Sequence, residues 1–174
     1  MYETCAVRPA RTEDRGALIE LEILSAGRYR GTAVSGLADS PPRPQSLWDE
    51  RLSAGDVLVA ALPSSRLLGF AMLRDLEARL FVEELAVLPN ATGAHVEDRL
   101  LDAAARTAAD RDAAALVVAG CRNVPWSAPY LLCLGFRALD ESEVEADAEL
   151  FAIRRAETAS GLPPHERVFL TRAV

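Results

Sequence analysis

The twenty residues from Val82 to Leu101, VEELAVLPNATGAHVEDRLL, constrain this chain more than any other stretch. An apolar β-type run, a short turn and a helical pattern follow one another directly. A strand that feeds straight into a helix creates a ready anion site. The first-turn amides of the helix are unpaired, and its dipole favours negative charge. The turn itself carries Thr92, His95 and Glu97, where a phosphate cradle calls for a cation and glycines. A strand–turn–helix unit is therefore predicted, with unusual chemistry in its turn.

With 174 residues, the chain is expected to form one domain, 1–174. No apolar run is long enough to span a bilayer, and the first residues lack the apolar core of a secretory signal. A cytoplasmic protein with no membrane association is the expectation. The formal charge is −7 and every cation is an arginine. Having no lysine excludes a Schiff-base lysine, a lysine general base and a P-loop lysine. The acidic balance argues against a nucleic-acid partner, which needs clustered positive charge. Cys5, Cys121 and Cys133 are odd in number and lack a CxxC spacing, so they read as small buried residues. Two histidines, His95 and His165, do not make a metal site, and no metal is expected.

Along the chain, residues 4–9 predict a first strand and Thr12–Leu24 an amphipathic helix with Thr12 as cap. Ser25–Pro44 reads as a long loop, a length often tied to function. Gln45–Ala54 predicts a helix. Two apolar runs around Pro63-Ser64-Ser65 predict a hairpin. A strand over Leu80–Val87 precedes a helix over Thr92–Ala109. Ala115–Gly120 is a continuous apolar run, as expected of a strand buried on both faces. A short helix, Ser127–Leu134, stops at Gly135. A strand from Phe136, a helix over Ala146–Thr158 and a strand over Arg167–Arg172 complete the pattern. The class is α/β (mixed α+β) around one sheet.

This order, together with VEELAVLPN and the later YLLCLGFRAL, resembles the GCN5-related N-acetyltransferase (GNAT) superfamily over roughly Cys5 to Val174. The resemblance implies a twisted, mostly antiparallel sheet of about six or seven strands flanked by helices. The sheet would split between the strands at 80–87 and 115–120. It implies acetyl-CoA or another acyl-CoA as cofactor, with no metal. The diphosphate would lie on the turn and helix start at Thr92, Gly93, Ala94, His95 and Val96. Strand residues Leu85, Ala86 and Val87 would border the thioester. The Leu134-Gly135-Phe136 segment would pack by the pantetheine arm. The family loop, Gln or Arg, two residues, Gly, one residue, then Gly or Ala, falls here on Thr92, His95 and Glu97, which makes the loop a divergent one. The family's frequent general-acid tyrosine falls on Leu131, with Tyr130 one residue away, about 100° around a helix.

Candidate catalytic residues are Glu84, His95, Glu97 and Tyr130. Glu83 and Glu84 are adjacent on a strand, so they are expected to face opposite sides, and an acid on this strand often serves as general base in the resembled family. His95 and Glu97 could instead form a proton-transfer pair or be merely exposed. Arg28, Tyr29 and Trp126 map to the acceptor wall, where arginines would suit an anionic acceptor. The function implied is acyl transfer from a CoA thioester to a small-molecule amine by direct attack. The alternatives are a GNAT-fold enzyme doing other acid/base chemistry in the former CoA cleft, or a noncatalytic ligand-binding or regulatory protein. Dimers are common in the resembled family, so a homodimer is compatible with this reading.

Overall fold

In the computed structural model, which describes residues 5–91 and 95–174, seven strands form one sheet. They are β1 (Ala6–Pro9), β2 (Val57–Ala61), β3 (Leu67–Leu76), β4 (Arg79–Val87), β5 (Ala115–Cys121), β6 (Arg137–Ala138) and β7 (Arg167–Ala173), in the order β1-β2-β3-β4-β5-β7-β6. Every adjacent pair is antiparallel except β4 with β5. The expected mixed class, strand number and predominantly antiparallel pairing are all present.

The helices are α1 (Arg15–Ala26), α2 (Gln45–Ala54), α3 (Val96–Asp110), α4 (Ala128–Cys133), α5 (Glu141–Ala146) and α6 (Ala148–Ala159). Helix α3 packs on β2, β3, β4 and β5, while α1 packs on β3 and β4. Apolar residues at helical spacing on α3, Val96, Leu100, Leu101, Ala104 and Ala108, are buried. They join Phe70, Met72, Leu80 and Leu116 of the central strands in the main core. Gly69 permits this close packing. A Cβ there would lie 2.7 Å from the Ala86 carbonyl oxygen and 2.9 Å from Val87 Cγ2.

Several local expectations change. Thr12 opens a single 3-10 turn, Thr12–Asp14, rather than capping α1. Asp14 ties that turn down by accepting from the Arg11 amide at 2.8 Å and from Arg8 at 2.7 Å. The predicted helix Ala146–Thr158 is α6, which starts at Ala148, capped by Asp147. Its Oδ1 accepts from the Glu149 and Leu150 amides. The preceding helix α5 begins with a reciprocal capping box between Asp140 and Glu143. Of the three cysteines, Cys5 and Cys121 are buried as expected, whereas Cys133 is exposed.

The register places the functional region. Strand β4 pairs with β5 only from Arg79↔Ala115 to Val82↔Val118. Beyond that point the two strands no longer pair with each other, β4 running on to Val87 beside β3 and β5 to Cys121 beside β7. At the same place β4 bulges. Met72 faces Glu84 and Leu73 faces Val82, so Glu83 is an extra residue. The expected split between these strands thus begins where the bulge sits.

Candidate active site

The parting of β4 and β5 opens a cavity of about 470 Å³, in the size range of small-molecule sites. Its floor is Val82–Val87 of β4 with Val118 and Ala119 of β5. Helix α1 and the segment that follows it contribute Glu22, Arg28, Tyr29, Leu37 and Arg43. Helices α3, α4 and α6 bring Glu97, Tyr130 and Glu157, and β7 brings Arg167.

The exposed edge of β4 has a defined polarity. The Leu88 amide donates to the Leu68 carbonyl on β3 at 2.9 Å. Hydrogen-bonded and non-hydrogen-bonded pairs alternate along an antiparallel ladder. The pairs Gly69↔Val87 and Ala71↔Leu85 therefore turn the Val87 and Leu85 amides away from β3, toward the gap. These are the two amides expected from the sequence to border a thioester.

Glu83 and Glu84 do not divide between opposite sides. The bulge brings both to the cavity wall. Glu83 pairs with Arg51 at 3.2 Å. Glu84 pairs through Oε2 with Arg43, which also donates to Glu22 at 2.8 Å. The Arg43 amide reaches both Glu22 oxygens at 3.2 Å. Two carboxylates thus share one guanidinium. Glu84 Oε1 has no protein partner among the described residues.

At the start of α3, His95 and Glu97 do not pair. The His95 ring is exposed, lies outside the cavity lining, and meets Asp98 through Nδ1 at 2.8 Å. Its backbone is left-handed, with φ of 55°. Glu97 is largely buried and pairs with Arg28 at 3.5 Å, so its charge is matched rather than solvated or turned bare toward an anion. Thr92, Gly93 and Ala94 lie outside the described residues, while Val96 is buried in the core.

Tyr130 reaches the cavity despite its one-residue offset. Its hydroxyl donates to Asp98 Oδ1, joining α4 to the first turn of α3. Leu131 packs into the core and touches the cavity with an apolar side chain. Burial, then the Asp98 bond, raises the Tyr130 pKa and holds its proton. Burial works against the Asp98 carboxylate, yet the Tyr130 hydroxyl and the His95 ring outweigh it and lower its pKa.

The long segment after α1 is not an open loop. Two 3-10 turns, Gly27–Tyr29 and Ser35–Asp39, fold it against the end of β5, where Val34 packs on Cys121 and Val124. Trp126 is half-buried beside Tyr29, ring centroids 6.3 Å apart, and Arg28 lies 5.1 Å over its ring. Burial raises the Tyr29 pKa, a rise that nearby Arg167 and Arg28 oppose. Arg167 meets Glu157 at 2.5 Å and Cys121 Sγ at 3.1 Å. Its pKa is raised although burial opposes the charge, because Glu157 outweighs that cost. The arginines here are consumed by carboxylates, which removes the expectation of an anionic acceptor. Arg30 points elsewhere, pairing with Asp39 at the surface.

Sequence reasoning missed Glu22, Arg43, Asp98, Glu157 and Arg167. Glu22 had a signal, since Leu18, Leu21, Glu22 and Ser25 are the buried positions of α1. An acid on an apolar helix face needs a partner. The remaining four had none.

No protein-family model matches the chain, and no curated protein does either. Solved structures do. One is N-acetylglutamate synthase from Neisseria gonorrhoeae, complexed with coenzyme A and N-acetyl-glutamate. It has 16% identity and a TM-score of 0.72, over 99% of this chain and 36% of that one. The chain thus spans about a third of the synthase's length. A second is the paia N-acetyltransferase from Thermoplasma acidophilum in complex with coenzyme A, at 16% identity and 0.67, covering 98% and 99%. A third is the GNAT superfamily phosphinothricin acetyltransferase from Sinorhizobium meliloti in complex with AcCoA, at 14% identity and 0.69, covering 98% and 89%. With the split sheet and its one parallel pair, these likenesses establish that the chain has the GCN5-related N-acetyltransferase fold.

Proposed function

We propose that the protein is an N-acyltransferase that moves an acyl group from an acyl-CoA thioester to a small-molecule amine by direct attack. The observation that carries this reading is the bare edge of β4, with the Leu85 and Val87 amides turned into the gap beside Glu84 and Tyr130. An extended, amide-bearing arm such as pantetheine satisfies such an edge as an added strand would. The same amides can stabilise charge developing on the thioester oxygen. The dipole at the start of α3 favours a diphosphate. Glu97 and Asp98 there oppose it less than their charges suggest, because Arg28 engages Glu97, and Tyr130 and His95 each engage Asp98.

In the reaction, Glu84, directly or through water, takes a proton from the acceptor ammonium. The amine nitrogen bonds to the acyl carbon, the carbon–sulfur bond breaks, and its electrons go to sulfur. The nitrogen, now bonded to carbon, still carries an extra proton, and this passes to the departing sulfur through the Tyr130 hydroxyl, which ends the step protonated. Calorimetric titration with acetyl-CoA tests the first requirement, and absence of binding at millimolar concentration would sink the proposal. Glu84→Gln should keep that binding and lose transfer.

One observation favours a second reading, in which the fold has left acyl-CoA behind. The Tyr130–Asp98 bond and the Arg28–Glu97 pair both run from the first turn of α3 to other walls of the cavity. If they close it to CoA, Glu84 and the Tyr130–Asp98 pair serve other acid/base chemistry there. Acetyl-CoA binding that appears in Tyr130→Phe but not in the wild type would support this version.

A further inference from the structure

The charge pattern of the cavity narrows the acceptor. Each guanidinium on its wall is already matched: Arg28 by Glu97 at 3.5 Å, Arg167 by Glu157 at 2.5 Å, and Arg43 by Glu22 at 2.8 Å together with Glu84. Glu83 meets Arg51, which lies outside the lining and also pairs with the exposed Glu50. Among the described lining residues, Arg43 is the guanidinium that two carboxylates of the wall share. A single negative charge is left over, next to the unpartnered Oε1 of Glu84.

We infer that the acceptor is an amine whose remaining body is neutral and mostly apolar, without a carboxylate or phosphate. This rests on reading the cavity as the site of an amine acceptor. An ammonium beside Glu84 cancels the leftover charge. A carboxylate on the same molecule would meet no unpaired guanidinium among the described lining residues, and the chain has no lysine to supply another cation. It would instead lie among carboxylates in a partly desolvated space, where like charges repel more strongly than in water. By the end of β5 the wall suits an apolar body. Tyr29 and Trp126 form an aromatic pair there, and Leu37 and Leu162 extend it. Aromatic surfaces of this kind hold apolar groups and tolerate a cation nearby.

Two matched ligand pairs isolate the carboxylate: 2-phenylethylamine against phenylalanine, and tryptamine against tryptophan. Isothermal titration of the full chain without CoA should give binding of each amine tighter than its amino acid by about tenfold or more. Glu84→Gln, which keeps shape and removes charge, should shrink that preference. Amino acids binding as well as the amines, or none of the four binding, would overturn the inference. Because no thioester is present, the preference can survive a failure of acyl transfer, and that result would overturn only the acyltransferase reading. Transfer to amino acids in preference to the amines would do the opposite.

Discussion

The two halves of β4 make opposite uses of one strand. From Arg79 to Val82 it has a neighbour on each side, and Leu80, Phe81 and Val82 are buried. From Glu83 to Val87 it keeps β3 but loses β5, and here the two carboxylates appear. The first half is held by a full ladder on both edges. The second half has an unpaired edge, which costs stability unless something else meets its polar groups. A bulge at Glu83 marks the change. The site is thus made by withdrawing a neighbour from a strand that the first half keeps in register.

With β5 gone, β3 is the one strand that positions the second half, beside the ties of Glu83 to Arg51 and Glu84 to Arg43. Gly69 is where that dependence is tightest, opposite Val87. Gly69→Val should collide with the Ala86 carbonyl and the Val87 side chain. A loss of about 3 kcal/mol or more is expected from overpacking at a site with no room to relax, measured by urea unfolding. Stability within about 0.5 kcal/mol of wild type would mean that the open half is free to move.

The next effect is chemical rather than structural. Glu84→Gln removes the base but keeps the side chain's shape and its contact with Arg43. Transfer should fall by about a hundredfold, the usual weight of a general base, with little change in unfolding midpoint. An unchanged rate would move the base role to Glu83, the other carboxylate of the bulge.

At the far end of the gap, Arg28→Ala should leave Glu97 buried without its cation beside the start of α3. Acetyl-CoA affinity should weaken roughly tenfold, and the double variant with Glu97→Gln should recover it. No recovery would mean that Arg28 acts through its stacking on Trp126 instead.

The first half of β4 was legible in the sequence and the second only in part. Apolar runs such as LVV in β5 and the spacing in α3 follow from burial, which is a local property of residue type. They were enough to predict the elements in chain order, while the split was implied by the family resemblance. The bulge was not legible, because it depends on the register of β3 against β4. The expected opposite facing of Glu83 and Glu84 failed for that reason. Tyr130 stood among the candidates despite its offset on α4, and its phenol is long enough to reach Asp98 from that flanking position. The short helix α5 was readable from its capping box, Asp140 with Glu143, and was passed over. Arg43 with Glu84 and Arg28 with Glu97 meet across chain separations of 41 and 69 residues, which no local pattern encodes.

The smallest expected effect concerns the bond that joins α4 to α3 across the gap. Tyr130→Phe removes a hydroxyl donated to a carboxylate, at a cost of about 1 kcal/mol. Asp98 has a lowered pKa, so its share of the stability is present above the ordinary aspartate value and fades as pH falls through the lowered one. Tyr130 has a raised pKa, so its share is present below the ordinary tyrosine value and fades as pH rises through the raised one. Glu97 and Cys133 also face Tyr130 and add to the rise. The difference between wild type and Tyr130→Phe should therefore be flat between about pH 4 and 10 and shrink on either side. His95, the other partner of Asp98, is exposed, so His95→Ala should change stability by less than Tyr130→Phe. Unfolding curves of both variants across pH test the two together. A Tyr130→Phe difference absent at neutral pH would mean that the two walls of the gap stand apart without this bond, and that the open half of β4 is held by β3 and its two carboxylate ties.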